Sequence, residues 1–219
     1  MKRHTKAHGC CVTTLLGTVA FWAALAGCSP ALNWRTVAVP EAVLQIALPC
    51  KPETATRTVD LAGAPQALSM LGCEADGATF AVSHVRLADP STAGLALAHW
   101  QAATLARLGA GPASPSASQA KSSLSDAGAA SAPVAVAAAE GGAGNASSQP
   151  FVPPGALALP QAVRTTVQGR TPDGAVVTAH AVWFARASGA EVRVFHALVL
   201  ASAPRPAVAD TFFAGLELK

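Results

Sequence analysis

AVVTAHAVWFARASGAEVRVFHALVLA, residues 175–201, is the stretch whose reading decides the fold. Two runs rich in valine and aromatic residues, AVVTAHAVWFA (175–185) and EVRVFHALVLA (191–201), bracket RASGA at 186–190. Alternating side chains on either side of a short turn read as a β-hairpin. In the second run Val192, Val194, His196, Leu198 and Leu200 share one face, and Arg193, Phe195, Ala197 and Val199 share the other. Both faces are apolar, which places the pair centrally in a sheet.

The turn decides what two histidines can do. A three-residue turn over 187–189 would set His180 opposite His196, close enough to share a metal ion or a proton. A two-residue turn would pair His180 with Ala197 and put the rings on opposite faces. His180 and His196 are therefore weak metal candidates. The alternative is a pair of partly buried histidines bonded to backbone or water. No cofactor is expected.

Working outward, TPDG at 171–174 is a turn signal, and a strand is expected near 162–168. The chain closes with PAVADTFFAGLEL, where Phe212 and Phe213 should pack a short helix onto the sheet. Upstream, WRTVAV, AVLQIALP, TATRTVDLAG, QALSMLGCEA and DGATFAVSHVRL read as short strands. After Pro90 the period changes. Leu97, Trp100, Thr104 and Leu108 recur along one helical face, with Leu105 beside it. Ser91 or Thr92 can cap that helix and Gly109 can end it.

Between the two blocks, residues 109–156 are dominated by Ala, Ser, Gly and Pro. Such a segment buries too little apolar area to offset its ordering entropy. It reads as a disordered insert. Residues 33–108 and 157–219 are each short for an independent core. The expectation is one α+β domain in two halves, an antiparallel sheet with helices packed on it, interrupted by the insert.

The first 27 residues read as an export signal. Lys2, Arg3 and Lys6 precede an apolar stretch from 10 to 26. That stretch is short for a bilayer span of about 20 residues, and an uncleaved anchor is the alternative. Its end, Leu25-Ala26-Gly27-Cys28, resembles the lipobox of bacterial lipoproteins. The resemblance implies cleavage before Cys28, acylation of Cys28, and membrane lipid as its first partner. Residues 28–32 would form the tether. More than one acyl chain holds well, at about 0.8 kcal/mol per buried CH₂. Ser29 rather than Asp follows the cysteine, which resembles sorting to an outer membrane facing the periplasm.

Charge supports the same compartment. The chain carries 15 Lys/Arg against 12 Asp/Glu. Lys2, Arg3 and Lys6 supply the whole excess, so the chain from Cys28 onward is neutral by count. No basic cluster remains, and nucleic acid is not an expected partner. Of five cysteines, Cys10 and Cys11 leave with the signal and Cys28 takes lipid. Cys50 and Cys73 remain as an even pair in an oxidising compartment and should form a disulfide. Their loop of about 24 residues is worth roughly 3 kcal/mol in the chain-entropy model.

The part beyond the signal loosely resembles small exported bacterial proteins of the PsbP/Mog1-like sandwich type. The anchors are IALPC (46–50), TFAVSH (79–84) and FFAGLEL (212–218), with a helix and a second hairpin between. The resemblance implies a layered α/β/α sandwich and carries over no catalytic residue.

The chain has no Gly-x-Ser-x-Gly elbow, no His-Glu-x-x-His and no Gly-x-x-x-x-Gly-Lys loop. Glu74 and Asp76 flank a turn signal and read as solvated residues rather than an acid–base pair. Trp34, Trp100, Trp183, Phe80, Phe184 and Phe195 read as core, or as the lining of a small apolar pocket. The expected function is that of a non-enzymatic envelope lipoprotein that binds or supports another envelope protein. The alternatives are a domain binding a small apolar or metal ligand, and an enzyme whose site is assembled across both halves.

Overall fold

The computed structural model describes residues 31–111, 114–115 and 146–219. Residues 1–27, read above as an export signal, together with Cys28 and most of the insert, lie outside the described residues. In chain order the strands are β1 (Arg35–Val39), β2 (Leu44–Leu48), β3 (Glu53–Leu61), β4 (Ala64–Ala75), β5 (Ala78–Leu87), β6 (Ser114–Pro115), β7 (Ala146–Pro150), β8 (Val163–Arg170), β9 (Val176–Ser188), β10 (Glu191–Ala201) and β11 (Glu217–Leu218). The α-helices are α1 (Ala93–Arg107) and α2 (Pro206–Ala214).

The fold is mixed α+β, with antiparallel sheets and two packed helices. The decisive hairpin, β9–β10, lies in the middle of an eight-stranded sheet ordered β3-β4-β5-β10-β9-β8-β7-β6. Both of its faces carry buried apolar side chains, as the sequence pattern indicated. β5 pairs with β10 along its length, so strands from before and after the insert share one sheet.

The hairpin turn differs from both sequence registers. Ser188 pairs with Glu191, leaving Gly189 and Ala190 as a two-residue loop. Gly189 has φ +62°, which glycine adopts without steric cost, and this fixes the loop one residue later than expected. His180 therefore pairs with Val199, and His196 with Trp183. The two rings point to opposite faces of the sheet.

One face carries Phe80, Val82, Phe184, Phe195 and Val199, packed against Phe212 and Phe213 of α2. Phe184 and Phe195 stack face to face, their centroids 4.8 Å apart. Arg164 of β8 lies over the Phe213 ring and pairs with Asp210, which ties α2 to β8. The other face carries Val85, Trp183, Val192 and Val194 beneath Ala93, Ala96 and Leu97 of α1. Each helix thus packs on one side of a sheet that is apolar on both.

A second sheet was not foreseen. β1, β2 and β11 form a separate three-stranded sheet on the α2 face. Leu44, Ile46 and Leu48 all point inward, as the alternation in AVLQIALP indicated. β1 and β2 are joined as a hairpin by a tight link: a single 3₁₀ turn at Pro40–Ala42, then Val43 in the left-handed region at φ 51°. Such local geometry is not written in an apolar alternation.

The disulfide forms between Cys50 and Cys73, with Cα atoms 5.9 Å apart. Cys50 follows β2 and Cys73 lies in β4, so the bridge ties the small sheet to the large one.

At α1 the cap differs in detail from expectation. Thr92 makes no side-chain cap. Asp89 does the work at the preceding 3₁₀ turn, accepting from the Ser91 amide at 2.9 Å and the Ser91 hydroxyl at 2.7 Å. The C-terminus closes as expected on Gly109, at φ +65°. The Gly109 amide donates to Ala106 and the Ala110 amide to Leu105, the paired bonds of a Schellman motif.

The described end of the insert is ordered. Ala146–Pro150 forms β7 against β8, inside the range 109–156 assigned to the insert. ASSQP is polar enough to resemble the preceding low-complexity text, yet it pairs with β8 on one side and with the short β6 on the other.

Candidate binding cleft

α1 crosses one face of the large sheet without covering it. Its buried contacts are Ala93, Ala96, Leu97 and Leu105. Trp100, Thr104 and Leu108, expected on the core face, are only half-buried and overhang β3, β4, β5 and β10. Its small side chains pack closely on the sheet at the start of the helix and Leu105 packs on Val167 and Ala179 further along, while Trp100, Thr104 and Leu108 overhang the other side. The result is a cleft of about 220 Å³.

The floor comes from alternate residues of adjacent strands. Leu68 and Met70 of β4, Ala81 and Ser83 of β5, and His196, Leu198 and Leu200 of β10 all line it. Strand register explains the grouping, because Ser83 pairs with His196 and Ala81 with Leu198. Residues two apart on a strand then add the rest of the row. The rim carries Arg57 of β3 and Arg107 in the last turn of α1, both exposed. A smaller space of about 90 Å³ shares Arg57, Leu68, Trp100, Thr104 and Arg107 with the cleft and extends it toward His99 and Asp60.

His196 is the unusual group. Its ring stacks on Trp183, with centroids 4.9 Å apart, and lies tilted against Trp100 at 5.5 Å. Its Nε2 has no hydrogen-bond partner among the described residues, and neither has Trp183 Nε1. An unpaired buried polar atom costs about 1–3 kcal/mol. Burial among apolar groups pushes the His196 pKa down to about 3, so the ring is neutral at ordinary pH.

His180 lies on the α2 face and is fully engaged. Its Nε2 accepts from the Arg205 amide at 3.2 Å. That leaves the proton on Nδ1, which lies 3.0 Å from Thr166 Oγ1 and donates to it. Burial, and then the nearby Arg164, lower its pKa. The ring anchors the start of α2. The metal pairing of His180 with His196 fails for the reason of register given above. Among the described residues no three His, Cys, Asp or Glu side chains converge as a ligand set.

A second polar cluster lies at the far end of the hairpin. Arg86, Arg193 and Arg186 are cross-strand neighbours on β5, β10 and β9. Arg193 Nη1 lies 2.8 Å from Nδ1 of His84, whose Nε2 faces Glu41. Burial, and then Arg193, lower the His84 pKa, with Glu41 opposing them. Arg86 pairs with Glu191, and Arg186 donates to the Val43 carbonyl. Each arginine of this row has a partner, so the cluster joins the hairpin end to the turn before β2.

Glu74 and Asp76 are both exposed, as expected, but Glu74 lies near the end of β4 and only Asp76 is in the turn. Asp76 sits at φ 51° before Gly77 and pairs with Arg205, and Glu74 accepts from Thr79. Of the six aromatic residues weighed, Phe80, Phe184, Phe195 and Trp183 are core, Trp34 packs partly buried against that core, and Trp100 lines the cleft. Arg57 and Arg107 were not singled out in the sequence. Nothing local marks them, because one sits in a weakly alternating strand and the other ends a helix, where basic residues are common.

Comparison with protein-family models, with curated proteins and with solved structures finds no match in any of the three.

Proposed function

We propose that this chain is an exported bacterial lipoprotein whose folded part is a non-enzymatic binding domain held at a membrane. The observation that carries the binding reading is the cleft under α1, an apolar floor roofed by Trp100 and rimmed by two arginines. Pockets of this make-up, mostly apolar with a few placed polar groups, suit ligand binding. The best-placed titratable groups have structural work: His180 holds the start of α2, and His84 and Arg193 join β5, β10 and the turn before β2.

The address rests on the sequence. Leu25-Ala26-Gly27-Cys28 would give acylation at Cys28, and Ser29 favours an outer membrane facing the periplasm. The Cys50–Cys73 disulfide supports an oxidising compartment. A sheet with α1 on one face and α2 on the other is compatible with the PsbP/Mog1-like sandwich, which we retain as the proposed fold relationship. A tether raises local concentration, so a weak contact with another envelope protein could suffice.

Crosslinking in native membranes, with Cys28→Ala alongside, tests this reading. The wild type should fractionate with membranes and trap a reproducible partner, and Cys28→Ala should lose both. A membrane-bound wild type that traps nothing contradicts assembly support and leaves the small-ligand reading. A wild type that stays soluble contradicts the tether.

A further inference from the structure

The geometry points to a ligand class for the cleft: we propose that it takes a small amphipathic monoanion, with its apolar body on Leu68, Met70, Leu198 and Leu200 and its head on Arg57 and Arg107. This inference rests on the reading of the chain as a binding domain and names what is bound.

Size comes first. A cavity of about 150 Å³ lined by apolar side chains is enough to hold benzene. The cleft, at about 220 Å³, admits a ring or a short alkyl chain. Charge comes second. Arg57 and Arg107 are both exposed at the rim, and neither has a carboxylate partner among the described residues. The cleft lining contains no Asp or Glu. Asp60 lies in the adjoining smaller space, where its Oδ1 accepts from the Gly63 amide. This contrasts with the row Arg86, Arg186 and Arg193, whose members are all engaged. Two free guanidiniums at one mouth match a carboxylate, sulfonate or similar head, which accepts charge-assisted bonds from both.

Floor chemistry comes third. Ser83 and His196 form a small polar spot within an apolar surface, and His196 is more than nine-tenths buried with Nε2 unpartnered. His196 Nε2 is enclosed by the stack, so a polar atom on the ligand body, such as a hydroxyl or carbonyl, would find its complement at the Ser83 hydroxyl. An all-hydrocarbon occupant would leave the spot unmet.

The test uses the full chain in lipid nanodiscs, with protein-free discs as the blank. Octanoate, octylammonium and 1-octanol are titrated by calorimetry. The expected result is saturable octanoate binding with one site per chain, and octylammonium at least tenfold weaker. The double variant Arg57→Gln/Arg107→Gln should weaken octanoate at least tenfold and leave 1-octanol within about twofold. Ala81→Leu, which fills the floor without touching the rim, should weaken both, and circular dichroism checks that each variant folds. If 1-octanol binds as tightly as octanoate, the anion assignment falls while the binding-domain reading stands. If none of the three binds the wild type, the ligand class is wrong, and the crosslinking experiment decides the broader reading separately. If binding emerges only after deletion of residues 116–145, the cleft belongs to the insert and the proposal is overturned.

Discussion

The imidazole of His196 lies flat on the indole of Trp183, with ring planes inclined by 12° and centroids 4.9 Å apart. The two residues are cross-strand partners on β10 and β9. Their stack forms the bed on which Trp100 and α1 rest. A titratable ring is thus built into the core where one helix meets the sheet.

This placement makes stability depend on acid. The folded pKa of His196 is about 3, against 6.5 for an unperturbed histidine. Between those values the unfolded chain binds the proton and the folded chain does not. Stability from this group is therefore complete above pH 6.5 and lost as pH falls toward 3, at up to about 1.4 kcal/mol per pH unit. His84 and His180 are shifted in the same direction and add to the trend. Denaturant unfolding at pH 7, 5 and 4 should show the loss. His196→Phe keeps the stack but not the proton site, so its stability should fall less steeply. Equal slopes for the two proteins would contradict the account.

The disulfide is expected to matter mainly through the unfolded chain. It closes a loop with a sequence separation of 23 and joins the small sheet to the large one. Replacing Cys50 and Cys73 together by serine should lower unfolding free energy by about 3 kcal/mol. A double variant within 0.5 kcal/mol of the wild type would show that the bridge constrains little.

The two halves of the chain should stay together without a covalent link. β5 and β10 pair over ten residues, from Val192 with Leu87 to Ala201 with Ala78. Both core layers draw on residues from before and after the insert. A protease site engineered between 116 and 145, cut under native conditions, should leave the halves co-eluting from a sizing column. Separation on cutting would mean two independent domains.

Much of this fold was legible from alternation and punctuation. β9, β10, β5 and α1 follow from apolar runs bounded by Gly, Pro and Asp, and the inward row Leu44, Ile46 and Leu48 follows from the same rule. The second sheet was not legible, because its β1–β2 hairpin turns through Val43 in a left-handed conformation that valine rarely takes, and its third strand, β11, comes from the far end of the chain. The turn register was open for a related reason. RASGA contains several two-residue loops, and the choice rests on where Gly189 falls relative to the pairing of both flanking strands. The cleft was the least legible feature. It depends on which side of α1 overhangs the sheet, and on Arg57 and Arg107, far apart in the chain, lining one cleft. Local pattern carries no record of such distances.

The central claim, a binding domain held at a membrane by its first mature residue, is tested most directly by mass spectrometry. The full chain is expressed in a bacterium with two membranes, and the N-terminal peptide of the membrane fraction is weighed and sequenced. The account predicts a chain that begins at Cys28 and carries the mass of its acyl groups, with Cys28→Ala left unacylated and uncleaved at that position. An unmodified N-terminus elsewhere, or a chain that still begins at Met1, would contradict it.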